Sequence, residues 1–123
     1  MRILKRNTRP FHYCLYLGKA RIIDEYGNKT NEKQPFYSEP VRMVANISPA
    51  TGQSHAEQFG NLEDYDKVIV TDWVDCPIRE DSVLFVDKEP EIENGRPLYD
   101  YIVKRVAKSI NSISIAIRKV DVT

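Results

Sequence analysis

The sequence predicts an all-β fold, a small β-barrel or sandwich of about six or seven short strands with long loops and at most a short helix. Three observations carry this. Short runs rich in Val, Ile, Tyr and Phe recur along the 123 residues, several with apolar side chains at alternating positions. Clusters of Gly, Pro, Asn and Asp separate those runs. No apolar pattern with a helical period persists beyond about two turns, and the chain contains no internal repeat or low-complexity tract.

Taken in order, residues 1–12 read as a flexible basic arm, with Arg2, Lys5, Arg6 and Arg9 ahead of Pro10. A first strand is expected over 11–17, where Phe11, Tyr13, Leu15 and Leu17 share one parity, and Gly18 ends or bends it. Residues 21–24 continue that strand or begin another, and the polar stretch 25–35 reads as an exposed hairpin loop. In the strand expected over 40–48, Val41, Met43, Ala45 and Ile47 fall on one side, and Pro49 stops it. Residues 49–64 hold two glycines and no strand period. A connection that long is usually functional or disordered, and a helical turn over 54–59, capped by Ser54, fits inside it.

The runs 66–72 and 82–87 are apolar without alternation, which predicts strands buried on both faces. Between them, 75–81 carries the turn chemistry of Asp and Pro, and 88–97 reads as an acidic loop. Residues 99–107 and 112–120 then form a terminal hairpin joined by a loop of about four or five residues. Ile113, Ile115 and Ile117 share one face opposite Ser112, Ser114 and Ala116, the pattern of a half-buried strand. The phase slips after Ile117, so a bulge or strand end is expected near Lys119. Lys104, Arg105, Arg118 and Lys119 mark a basic rim.

A chain of this length fits one domain, residues 1–123, with a small core. Its 41% hydrophobic and 29% charged content is modest for self-sufficient stability, which suits a subunit supported by partners. The net charge is zero but unevenly spread: +5 over residues 1–30, −1 over 31–60, −8 over 61–100 and +4 over 101–123. Such a bipolar chain suits either pairing within one fold or head-to-tail contact between subunits. It does not suit a nucleic-acid binder drawing its affinity from an excess of basic charge. No stretch approaches the roughly 20 apolar residues that cross a bilayer, and residues 1–7 lack the apolar core of a signal peptide, so a cytoplasmic location is expected and no membrane partner.

Chemistry is sparsely signalled. Cys14 and Cys76 are expected to be reduced structural thiols. With His12 and His55 they are the only Cys and His available, and no pair has metal-ligand spacing, so no metal is expected. Ser54, His55 and Asp64 lack a nucleophile elbow. Glu89, Glu91 and Glu93 form a solvated edge, and the five isolated glycines make no phosphate loop. The expectation is a protein without catalytic residues or cofactors. Trp73, the single tryptophan, follows a buried strand and reads as a core or rim anchor or as an interface hot spot.

The order of these elements carries a resemblance. A strand ending in residues 44–49, a polar loop with Gly52 and Phe59, the central runs 65–70 and 82–86, and the terminal runs 101–107 and 112–120 resemble the head-tail connector, or head-closure, proteins of long-tailed bacteriophages and prophages. The resemblance spans nearly the whole chain and rests on order, spacing and length. It implies a ring assembled in the host bacterial cytoplasm under the portal, which closes the packaged head, lies in the virion neck near packaged DNA without reading its sequence, and offers a platform for the tail. Its partners would be the portal or adaptor ring and tail-completion proteins. It places the loop 49–64 at the channel, where Gln53, His55, Gln58 and Phe59 would meet their symmetry mates without like-charge repulsion. Arg6, Arg9 and Trp73 complete the candidate interaction residues. Two other readings are another neck component, such as a tail-terminator or tail-completion protein, and an oligonucleotide-binding barrel using Tyr13, Tyr16, Tyr65 and Trp73 for stacking.

Overall fold

The computed structural model describes residues 8–49 and 65–121. Among these the chain is all-β, with ten strands in the order β1 (Thr8–Cys14), β2 (Tyr16–Ile23), β3 (Lys29–Tyr37), β4 (Val41–Pro49), β5 (Lys67–Thr71), β6 (Val83–Phe85), β7 (Ile92–Glu93), β8 (Arg96–Pro97), β9 (Tyr101–Lys108) and β10 (Ile113–Lys119). Six of them close into an antiparallel barrel with the neighbour order β1-β4-β5-β10-β9-β6, and β6 pairs back onto β1. Of the two architectures expected, the barrel is the one formed. The remaining strands make two small hairpins, β2–β3 and β7–β8.

Alternation fills the barrel. Phe11 and Tyr13 on β1, Met43, Ala45 and Ile47 on β4, Ile69 on β5, and Ile113, Ile115 and Ile117 on β10 meet in one buried cluster. The inward face expected of β10 is therefore present. Its other face is covered too. Ala116 packs outside the barrel with Val68 and Val70 of β5, against Tyr65 and Ala107, and Ser112 and Ser114 are also buried. The half-buried strand is thus corrected to one buried on both sides. The small Ser and Ala side chains that looked like a solvent face are what allow close cover.

The double burial expected of the central runs is found in β5 and β6. Around β6, Cys14, Val83 and Phe85 form a second outer cluster beneath Tyr37 and Tyr99. A register shift between Ala116 and Ile117 leaves Lys104 as the extra residue of β9. That bulge switches parity, so Val106 on one side of it and Val103 and Tyr101 on the other all reach the same interior. The phase slip lies in β9, while β10 ends at Lys119.

Four boundaries differ from expectation. Residues 8–12 of the supposed arm belong to β1. Pro10 is tolerated there because β6 pairs only with His12–Cys14, leaving one side of Pro10 without a ladder partner. The run 11–17 breaks at Leu15, whose N–H donates to Ser38 Oγ at 2.8 Å while its carbonyl accepts from Ser38 N at 2.8 Å. Most of 25–35 is strand, because the turn is confined to a loop in which Asp24 Oδ1 accepts the N–H groups of Tyr26 and Asn28. Finally, 88–97 contains the β7–β8 hairpin, turned by Asn94 (φ 54°) and Gly95 (φ 76°). Two successive positive φ angles are those of a type I′ turn.

Candidate functional site

Three surfaces concentrate polar or unpartnered groups. The first is one end of the barrel. The parity that sends Phe11, Ile69, Val103 and Ile117 inward also brings Arg9, Lys67, Tyr101 and Lys119 to the end where β6 runs into Asp87. Tyr101 Oη donates to Asp87 Oδ2 at 2.9 Å. Arg9 approaches Oδ1 at 3.5 Å, and Lys119 Nζ lies 3.7 Å from Oδ2. Burial pushes the Asp87 carboxyl up. The Tyr101 hydrogen bond and the charges of Lys67, Lys119 and Arg9 outweigh it, so the net shift is down. Burial, then the bond to Asp87 and its charge, push Tyr101 well above an ordinary phenol. Beneath them Asp100, buried, accepts the N–H groups of Val86 and Asp87 at 2.8 Å each and fixes the backbone that presents Asp87. Near neutral pH this group is an ionised carboxylate held by a protonated phenol and three cations. It suits an electrostatic clasp across β1, β6, β9 and β10 better than proton transfer.

The second surface follows the other end of β5. Between β5 and β6 the chain folds inward, so that Cys76 and Ile78 join the barrel interior, with Cys76 Sγ 4.0 Å from Met43 Sδ. To make that entry it turns over Trp73, whose N–H donates to Thr71 Oγ1 and whose carbonyl accepts from Cys76 N. Asp72, Trp73, Val74 and Asp75 are left consecutively exposed. Burial raises both thiols, that of Cys14 to about 11. At Cys76 a backbone hydrogen bond at Ile78 and the charge of Lys108 offset part of the rise. Protonated, buried sulfur is a poor nucleophile and a poor metal ligand. No group of three or more His, Cys, Asp or Glu able to hold a metal occurs among the described residues.

The third surface is the β2–β3 hairpin, whose strands pair with each other and with no barrel strand. Its base is anchored by the Leu15–Ser38 bonds and by Tyr37, which packs on the outer cluster of β6 and meets Tyr16 at 5.7 Å between ring centroids. Beyond that base Leu17, Ile23 and Tyr26 are exposed, Tyr26 to 81%.

Of the expected interaction residues, the structure describes two and keeps them apart. Arg9 belongs to the Asp87 cluster with Lys67, whereas Trp73, 44% exposed, lies past the opposite end of β5. Arg6, Gln53, His55, Gln58 and Phe59 lie outside the described residues. Tyr13, invoked for base stacking, is 4% exposed and part of the core, so it is removed from that role. The Asp87–Tyr101–Asp100 group is not among the residues expected from the sequence. Its signal was three polar side chains at the borders of otherwise apolar runs. Comparison with models of known protein families and with curated proteins finds no match.

Proposed function

We propose that this all-β barrel is a virion assembly protein without catalytic activity, a head-tail connector that joins a ring under the phage portal, closes the packaged head and receives the tail. The observation that carries the reading is the division of labour within the chain. The barrel interior is filled by side chains, while the β2–β3 hairpin keeps open strand edges and exposed Leu17, Ile23 and Tyr26, and Trp73 and Val74 are exposed on the turn after β5. Filled barrels bind at their outer surface, and exposed apolar groups mark places where another protein sits. Portal and tail-completion proteins are the partners this reading supplies, and assembly in the host cytoplasm is the setting.

Deleting the gene from the phage or prophage that carries it tests the reading. DNA-filled or leaking heads accompanied by free tails are expected by electron microscopy, restored by the gene in trans. Normal tailed particles from the deletion would reject it.

A further inference from the structure

The two surfaces that the fold leaves unpartnered have opposite charge. On the β2–β3 hairpin, Lys19 lies opposite Pro35, Arg21 opposite Lys33 and Ile23 opposite Lys29. Residues directly opposite share a face of the sheet, so Lys19, Arg21 and Lys33 stand together, with Ile23 and Lys29 just beyond a register shift. None of these four cations forms an ion pair among the described residues. Arg21 against Lys33 is a like-charge pair that opposes hairpin formation unless an anionic surface relieves it. Ile23, 62% exposed, sits at its edge.

The turn between β5 and β6 is the chemical counterpart. Asp72 and Asp75 flank Trp73 and Val74, all four are exposed, and neither carboxylate forms an ion pair among the described residues. Acid, aromatic, aliphatic and acid in succession match a face of cations bordered by an isoleucine. A hairpin strand of eight residues spans roughly 26 Å, long enough to lay its cations along the surface of a neighbour.

We infer that the basic face of the β2–β3 hairpin docks on the Asp72–Asp75 turn of a second copy of this chain. The contact joins different patches on the two copies, so it is heterologous, and repetition closes it into a ring or extends it as a filament. It deepens the connector reading and rests on it for the ring. A second copy is favoured over nucleic acid because the face is bordered by exposed apolar side chains and the chain as a whole carries no net charge.

Paired charge reversals provide the test. One full-length variant carries Lys19→Glu, Arg21→Glu, Lys29→Glu and Lys33→Glu, and the other carries Asp72→Lys and Asp75→Lys. In sedimentation at low salt and up to millimolar concentration, the wild type is expected to self-associate. Each variant alone stays monomeric, since its two surfaces now share one sign. An equimolar mixture associates again, because wherever the two variants alternate each contact joins opposite charges. Circular dichroism matching the wild type shows that both variants remain folded, and substitutions at exposed positions are mild enough to permit this. A monomeric wild type, variants that associate normally, or a mixture that stays monomeric would each overturn the inference. So would retardation of labelled DNA by the wild type and not by the hairpin variant, in the absence of self-association. Gene deletion reports separately. Tail-less heads together with unaffected self-association would remove this contact and leave the connector reading, and the reverse pair of results would do the opposite.

Discussion

The barrel and the β2–β3 hairpin satisfy their strands in opposite ways. Every barrel strand has a neighbour on each side, and the interior and much of two outer faces are buried. The hairpin has two strands, two open edges, a like-charge cross-strand pair and exposed apolar side chains. A two-stranded ribbon is marginal in water by itself, so this one depends on its base at Leu15, Ser38 and Tyr37. The difference teaches where changes will be felt. Stability resides in the barrel, and substitutions on the hairpin are free to alter association without unfolding the chain.

Four measurements sharpen that contrast. The largest effect is expected from Ile115→Asp, which places a carboxylate in the middle of the packed interior. The cost should be about 5 kcal/mol or more, enough to abolish the folded state, read as loss of the cooperative transition in urea. If Ile115→Asp unfolded like the wild type, the inward face of β10 would be misassigned. Asp100→Ala should follow at about 2 kcal/mol, because it strands the buried N–H of Val86 and removes the partner of the part-buried N–H of Asp87.

Tyr101→Phe should cost about 1 kcal/mol near neutral pH, since it removes one hydrogen bond to a partly exposed carboxylate. Its pH dependence is specific. The folded state depresses Asp87, so the associated stability is complete above the unfolded carboxylate value of about 4 and is lost as pH falls through the folded value. Tyr101 shifts upward, so its contribution holds below about pH 10 and is lost as alkali ionises the phenol. The gap between wild type and variant, measured as urea midpoints, should therefore narrow toward both extremes. A gap that stayed constant with pH would detach Tyr101 from Asp87. The smallest effect is expected from Tyr26→Ser at the hairpin tip, within about 0.5 kcal/mol by the same assay. A loss beyond that would mean the hairpin supports the barrel.

Much of the barrel was legible because burial leaves a period. The inward residues of β4 and β10 and the doubly buried β5 and β6 follow from alternation or from its absence. The hairpin was harder to read for the same reason. β3 has water on most of its surface, so Asn31, Glu32 and Lys33 carry no apolar alternation and resemble a loop. Asn94-Gly95 is a hairpin signal in its own right, but the strands of two residues on either side display no period to frame it. Parity in β9 could not be settled locally, since the bulge at Lys104 is needed to bring Val106 and Val103 to one interior. Among the candidate interaction residues, the basic character of Arg9 was plain. Its partner Asp87 was not, since the two lie far apart in sequence and meet through the β1–β6 pairing.

That pairing also governs how the molecule comes into being. β1 finds its second neighbour only in β6, and β5 finds its own only in β10. During synthesis the earliest strands leave the ribosome with open ladders, and no closed cylinder exists until residues 113–119 have emerged. Non-local pairings of this kind slow folding and leave nascent edges open to other chains.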